Sequence, residues 1–146
     1  MVTVNILSIE FATPEYDESV ALRFEVLRKP LRLEFTPEQL GAEWSDLHLA
    51  AFDTQGKMIG ILLLTPVSEH LVKMRQVAVS PDQQGKGVGT SMVLDSEILA
   101  KSQNFTNITL HARENAVPFY LRLGYQVVGD KFEEVGIPHF KMEKVL

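Results

Sequence analysis

The stretch Val77-Ala78-Val79-Ser80-Pro81-Asp82-Gln83-Gln84-Gly85-Lys86-Gly87-Val88-Gly89-Thr90 decides how this chain is read. A β-branched run meets a loop with three alternating glycines, and an amphipathic helix follows. Glycines let the backbone take positive φ and leave no Cβ in a ligand's way. Successive N–H groups can then converge on one concavity, to which the helix N-terminus adds partial positive charge. Such a loop suits a phosphate or pyrophosphate. A Walker A loop fails here, because Lys86 is followed by Gly87 and no glycine stands five residues before Gly85, where the chain has Ser80. A dinucleotide fingerprint also fails, because Thr90 occupies its third glycine position. The pattern Gln/Arg-x-x-Gly-x-Gly/Ala is met in full by Gln84 to Gly89. Lys86 can add a full charge, but it reads equally as a solvated surface lysine and ranks below the backbone amides.

Outward from the loop, the chain has 146 residues, 14 Lys+Arg against 19 Asp+Glu, and no cysteine. That length suits one domain with a substantial core. The missing cysteines exclude a disulfide framework, a thiolate metal site and a cysteine nucleophile. A net charge of -5 argues against general nucleic-acid binding, which draws on phosphate neutralisation. It does not exclude a local site for an anion. The N-terminus lacks a signal-peptide pattern. The longest apolar run, Met58 to Leu64, is too short to cross a bilayer. The expectation is a cytoplasmic protein without membrane or nucleic-acid partners. The four histidines, at 48, 70, 111 and 139, show no metal-ligand spacing, so no metal is expected.

Element signals run along the whole chain. Val2 to Ile9 reads as a strand. Thr13-Pro14-Glu15 opens a helix whose face is Val20, Phe24 and Leu27, and which Pro30 ends. Thr36-Pro37-Glu38-Gln39 opens a second, shorter one. Leu47 to Phe52 and Met58 to Thr65 form a hairpin across Asp53 to Gly56. Leu71 to Val79 is the strand entering the loop. In the helix from Val88 to about Lys101, Val88, Met92, Leu94, Ile98 and Leu99 span an arc of roughly 160°, the side expected to pack on a sheet. Asn107 to Leu110 is a short strand, Pro118 to Leu123 a short helix capped by Gly124, and Tyr125 to Val128 and His139 to Val145 the last strands. The expected class is α/β: a mixed, partly antiparallel central sheet flanked by helices on both faces.

The loop pattern is the pyrophosphate signature of the GNAT N-acetyltransferase superfamily, and the resemblance continues downstream. Ala112-Arg113-Glu114-Asn115-Ala116-Val117-Pro118-Phe119-Tyr120-Leu121-Arg122-Leu123-Gly124-Tyr125 resembles that family's second motif: Asn, then Phe-Tyr, then Gly-Tyr. Glu134 to Met142 is similar to the ending of some bacterial branches. Specific matching covers about the last half of the chain. The resemblance implies one GNAT domain over residues 1–146 and acetyl-CoA as acyl donor. It implies pyrophosphate on the amides of Gln84, Gly85, Lys86, Gly87, Val88, Gly89 and Thr90. The pantetheine arm would lie along Val77, Ala78 and Val79, with Asn115, Phe119 and Tyr120 also at the cofactor. Asn115 reads equally as a turn residue.

The reaction so implied is direct transfer of an acetyl group from the thioester to an amine of a small molecule or peptide. A CoA-binding sensor without turnover is the alternative. The resemblance makes Tyr120 the general acid toward the sulfur. His139 and Glu134 are candidates for base or substrate contact, as are Glu69, His70 and His111, each equally explained as a packed or surface residue. Arg23, Arg28, Arg32 and Glu34 would line the acceptor side, where the arginines could bind a substrate carboxylate. A solvated helix face with Glu25 and Glu34 as partners explains them better. Homodimers occur in this family, but no residue here specifies one.

Overall fold

The computed structural model describes residues 4–146; Val2 and Thr3 of the expected first strand lie outside the described residues. Seven strands form one sheet: β1 (Asn5–Ile9), β2 (Leu47–Phe52), β3 (Met58–Pro66), β4 (Leu71–Val79), β5 (Asn107–Arg113), β6 (Gln126–Glu134) and β7 (Ile137–Val145). Their order is β1-β2-β3-β4-β5-β7-β6. Only the β4–β5 pairing is parallel. Helices α1 (Pro14–Arg23), α2 (Pro37–Gly41), α3 (Val88–Ser102) and α4 (Val117–Arg122) complete the fold. No described helix is long and apolar enough to cross a membrane.

The helix starts follow the sequence signals. The Thr13 hydroxyl accepts the Tyr16 N–H with Pro14 in the first turn. Thr36 and Gln39 form a reciprocal capping box. The hairpin at Asp53 closes as expected, its carboxylate accepting from the N–H of Gln55 and Lys57.

The sheet carries a core on each face. On one side Leu62, Leu64, Val72, Met74, Ile108, Leu110 and Met142 pack with Met92, Val93, Tyr120 and Tyr125. On the other, Ala50, Ile61, Leu63 and Ala78 pack with Leu22, Val26 and Leu27. Helices therefore cover both faces, α3 and α4 on the first and α1 on the second.

Several boundaries and faces differ from expectation. Pro30 does not end the first helix cleanly. A π-helical turn (Phe24–Arg28) and a 3₁₀ turn (Lys29–Leu31) continue it, and Pro30 sits early in the latter, where its missing N–H costs nothing. α3 buries Val88, Met92, Val93, Ser96 and Ala100. Leu94 and Ile98, expected on the packing face, are exposed. Small Ser96 and Ala100 let the helix lie close to the sheet, which an apolarity pattern alone does not register. α1 buries Tyr16, Ser19 and Arg23, so Arg23 is not on a solvated face. It is fully buried, and its guanidinium forks onto Glu43 at 2.8 and 2.9 Å. Glu25 pairs with Lys29 instead of an arginine. β5 runs on to Arg113, so His111 lies in the strand and not in a loop. Glu134 is the last residue of β6, paired with Ile137. A two-residue turn, Val135-Gly136, with φ of 48° and 73° closes that hairpin without the Asn-Gly or Asp-Gly that would announce it.

Candidate active site

The decisive local feature is a break in β4. Leu63 pairs with Arg75 and Ile61 with Ala78, so Gln76 and Val77 together oppose Leu62. This is a β-bulge, with Gln76 at φ 56°. Holding a non-glycine residue there costs on the order of 1–3 kcal/mol. β4 pairs with β5 only from Leu71 to Met74. Beyond that point β5 pairs with β7 alone, up to Arg113. The two parallel strands therefore part, and the second half of β4, from Arg75 to Val79, has a free edge. The Ser80 N–H donates to Ile59 on β3. By ladder alternation Val79, and Val77 before it, turn their backbone groups to the open edge. Ala78, expected with them, instead faces β3 with its backbone and the α1 side with its methyl group.

The glycine loop lies at the end of this edge. Gly85 and Gly87 have φ of 77° and 87°, conformations that a side chain would strain. Gln84 donates its side-chain amide to the Val79 carbonyl at 2.9 Å, folding the loop back onto the strand. α3 starts at Gly87 without a side-chain cap and without an acidic residue in its first turn. Its first helical bond is Ser91 N–H to Gly87 O, so the amides of Val88, Gly89 and Thr90 have no intrahelical acceptor. Phe119 packs beneath, its ring 3.5 Å from where a Cβ on Gly89 would be. Lys86 is exposed. The donor set, the open edge and a first turn of α3 without a carboxylate fit a pyrophosphate with an amide-bearing arm.

α4 presents Tyr120 to the same cleft. The helix ends in a Schellman motif: Tyr125 N–H donates to Tyr120 O, and Gly124 N–H to Leu121 O, with Gly124 at φ 92°. Tyr125 is buried, and its hydroxyl donates to Glu97 on α3. The Gly-Tyr pair thus pins α4, and with it the Tyr120 ring. Tyr120 is 7% exposed and edge-on to Phe119 and Tyr125. No described group hydrogen-bonds its hydroxyl, and burial raises its pKa to about 12. Asn115 sits exposed in a 3₁₀ turn after β5 (Glu114–Ala116), outside the cleft lining.

The cleft has a volume of about 640 Å³ and brings Val77, Gln84 and Tyr120 together with His111, Glu134 and His139. Glu134 is held between two imidazoles. His111 Nδ1 is 3.0 Å from Oε1, and His139 Nε2 is 3.6 Å from Oε2. Burial alone would raise the Glu134 pKa, but His111, His139 and Lys73 bring it below the usual carboxylate range. His139 Nδ1 lies 2.8 Å from the Ile137 carbonyl, which can only accept, so Nδ1 carries a hydrogen and Nε2 faces Glu134. Lys73 lines the same wall, its pKa lowered first by burial and held up by Glu134. These groups do not make a three-ligand metal site among the described residues. Glu69 and His70 precede β4, are exposed, and lie about 30 Å of extended strand from Val79, outside the cleft lining.

Two site features escaped the sequence reading, though both leave a trace in it. Val72 and Met74 share a core with Val77 and Val79. That change of phase from even to odd positions requires an extra residue between them, the bulge. In β5, apolar Ile108, Leu110 and Ala112 alternate with Thr109, His111 and Arg113, which puts His111 on the cleft face.

The model of the Acetyltransferase (GNAT) domain matches residues 18–146. A UPF0039 protein of Schizosaccharomyces pombe is 30% identical over 97 residues, 65% of each chain. The chain spans 65% and 51% of the lengths of the first two curated relatives it matches. An acyl-CoA N-acyltransferase from Pseudomonas aeruginosa superposes with a TM-score of 0.83 at 22% identity, covering 98% of this chain and 100% of that one. An aminoglycoside 6'-N-acetyltransferase complexed with coenzyme A does so at 0.82 and 18%, covering 97% and 96%. At these identities the solved structures speak for the fold, while the domain match extends over the glycine loop, the free edge of β4 and Tyr120. The chain belongs to the GNAT acetyltransferase family.

Proposed function

We propose that this protein is an acetyl-CoA-dependent N-acetyltransferase that passes the acetyl group directly to an amine of a small molecule or peptide. One observation carries the proposal. The free edge of β4 leads from the uncapped N-terminus of α3 to the hydroxyl of buried Tyr120, which has no hydrogen-bond partner among the described residues. A linear ligand with an anionic end, amides along its length and a reactive tip matches that sequence of surfaces.

Acetyl-CoA supplies an activated thioester. The amides of Val88, Gly89 and Thr90, with those of Gly85 and Gly87, bind its pyrophosphate. Val77 and Val79 orient the arm by strand-like hydrogen bonds, and the N–H groups beside the bulge point toward the reacting carbonyl. The Tyr120 hydroxyl donates toward the sulfur. With a pKa of about 12, against about 8.5 for an ordinary thiol, outright proton transfer runs uphill. Tyr120 therefore stabilises the departing sulfur chiefly by hydrogen bonding. His139 Nε2 takes the amine proton, and Glu134 beside it stabilises the imidazolium that forms. His111 holds the other Glu134 oxygen.

The test has two arms. Acetyl-CoA raises the melting temperature, while ATP and NAD at the same concentration do not. An amine screen that reads free thiol then shows turnover. Stabilisation by ATP or NAD and not by acetyl-CoA contradicts the proposal. Acetyl-CoA binding without turnover of any amine reduces the protein to a CoA-binding domain.

A further inference from the structure

The acceptor half of the cleft has a charge balance unlike that of the whole protein. Arg28, Lys73, Arg75 and Arg113 line it, with Glu134 as the one carboxylate among the lining residues. The chain as a whole carries -5. Two of these cations have side-chain contacts of their own. Lys73 Nζ lies 3.4 Å from His111 Nδ1 and feels the charge of Glu134, and Arg75 reaches Thr65 at 3.3 Å and Asp46 at 3.9 Å.

Arg28 is set apart by how it is held. Like Lys73 and Arg113 it has no carboxylate within ion-pair distance among the described residues, although Lys29 beside it does. Its guanidinium stacks on Phe35, 4.6 Å from the ring centroid, and the same ring carries Arg23 on a second contact at 5.1 Å. The stack fixes a planar fork at low entropic cost. Burial lowers the Arg28 pKa first, the like charges of Arg23 and Arg75 lower it further, and Glu43 opposes them. A half-buried guanidinium, pre-oriented on a ring and without an ion pair of its own, is stabilised by an anion. Arg28 is the last residue of the π-helical turn after α1. It lines the cleft wall, while Val26 and Leu27 before it pack into the core against Ala78.

We infer that the acceptor is an amine bearing an anionic oxygen group, with Arg28 and Arg75 holding the anion while the amine faces His139 and Glu134. A carboxylate and a phosphate both match the fork of a guanidinium. The inference rests on the acetyltransferase reading and specifies its substrate class.

The experiment measures kcat/KM with acetyl-CoA for free amino acids against their carboxamides, and for phosphoethanolamine against ethanolamine. The expected result is at least a ten-fold preference for the acidic member in one series; the series that shows it separates carboxylate from phosphate. Arg28→Gln lowers kcat/KM for that acceptor at least ten-fold through KM, with the acetyl-CoA dissociation constant unchanged. Arg28→Lys, which keeps the charge and loses the fork, recovers only part. Equal or better use of the neutral amines overturns the inference, as does no turnover of any acidic amine. So does an Arg28→Gln variant, folded by circular dichroism, that loses acetyl-CoA affinity while acceptor KM stays put. Failure of acetyl-CoA itself to bind is read separately by calorimetry, and it overturns the acetyltransferase reading first.

Discussion

Two carboxylates in this molecule sit among cations, and they serve different ends. Glu43 accepts both branches of the buried Arg23 guanidinium and the Tyr16 hydroxyl at 2.8 Å, with its side chain only 4% exposed. Glu134 is 46% exposed and lies between the imidazoles of His111 and His139. Burial works against ionisation at both, and neighbouring donors bring both below the usual carboxylate range. What separates them is the partner. A guanidinium never gives up its proton near neutrality, so the Glu43 pair is a fixed strut between α1 and the segment before β2. An imidazole has a ring nitrogen that can accept or donate a proton, and the proposed mechanism uses that property at His139 beside Glu134. Sign and proximity of charge are similar; exchangeability of the partner divides structure from chemistry.

That contrast can be broken at either end. The largest effect is expected from Glu43→Gln, which leaves Arg23 buried without its counter-charge and should cost about 3–5 kcal/mol in urea unfolding. Because the folded Glu43 pKa is depressed, its contribution is present above the unfolded value of about 4.3 and lost as pH falls through the folded one. The variant should therefore show a flatter acid limb than the parent. A loss under 1 kcal/mol would mean that the strut is dispensable. Next comes Tyr120→Phe, with turnover down about 100-fold and acetyl-CoA affinity within a factor of two; unchanged turnover removes Tyr120 from the mechanism. Glu134→Gln should lower kcat about ten-fold and alter the acid side of the kcat profile, with stability within about 1 kcal/mol of the parent. Were it to unfold the protein as Glu43→Gln does, the division between the two carboxylates would fail. The smallest effect is expected from Ile98→Lys, on the exposed side of α3: within about 0.5 kcal/mol by thermal melting.

Much of this was legible in the sequence because the signals are local. Thr13-Pro14 and Thr36-Pro37 mark helix starts through their own hydroxyls and rings. Gly85 and Gly87 mark positive φ, and Asp53 to Gly56 closes a hairpin within five residues. Gln84 of the glycine loop and Tyr120 line one cleft, the first because strand, loop and α3 are consecutive, the second because Gly124-Tyr125 anchors α4. What escaped depends on distant partners. Arg23 reads as a surface residue until Glu43, twenty positions away, folds onto it. His111 and Glu134 meet only because β5 and β6 both flank β7. Leu94 and Ile98 are apolar yet exposed, since the sheet lies against Ser96 and Ala100 instead. The bulge at Gln76 was written in the change of apolar phase along β4, a signal that a strand-or-helix reading passes over.

The central claim is that the free edge of β4 and the amides of the glycine loop together hold acetyl-CoA. Backbone amide NMR during an acetyl-CoA titration tests it most directly. The account predicts shifts concentrated at Val77, Val79 and Gly85 through Thr90, with the amides of β1 and β2 unmoved. Shifts confined to other elements, or no shifts at saturating acetyl-CoA, would contradict it.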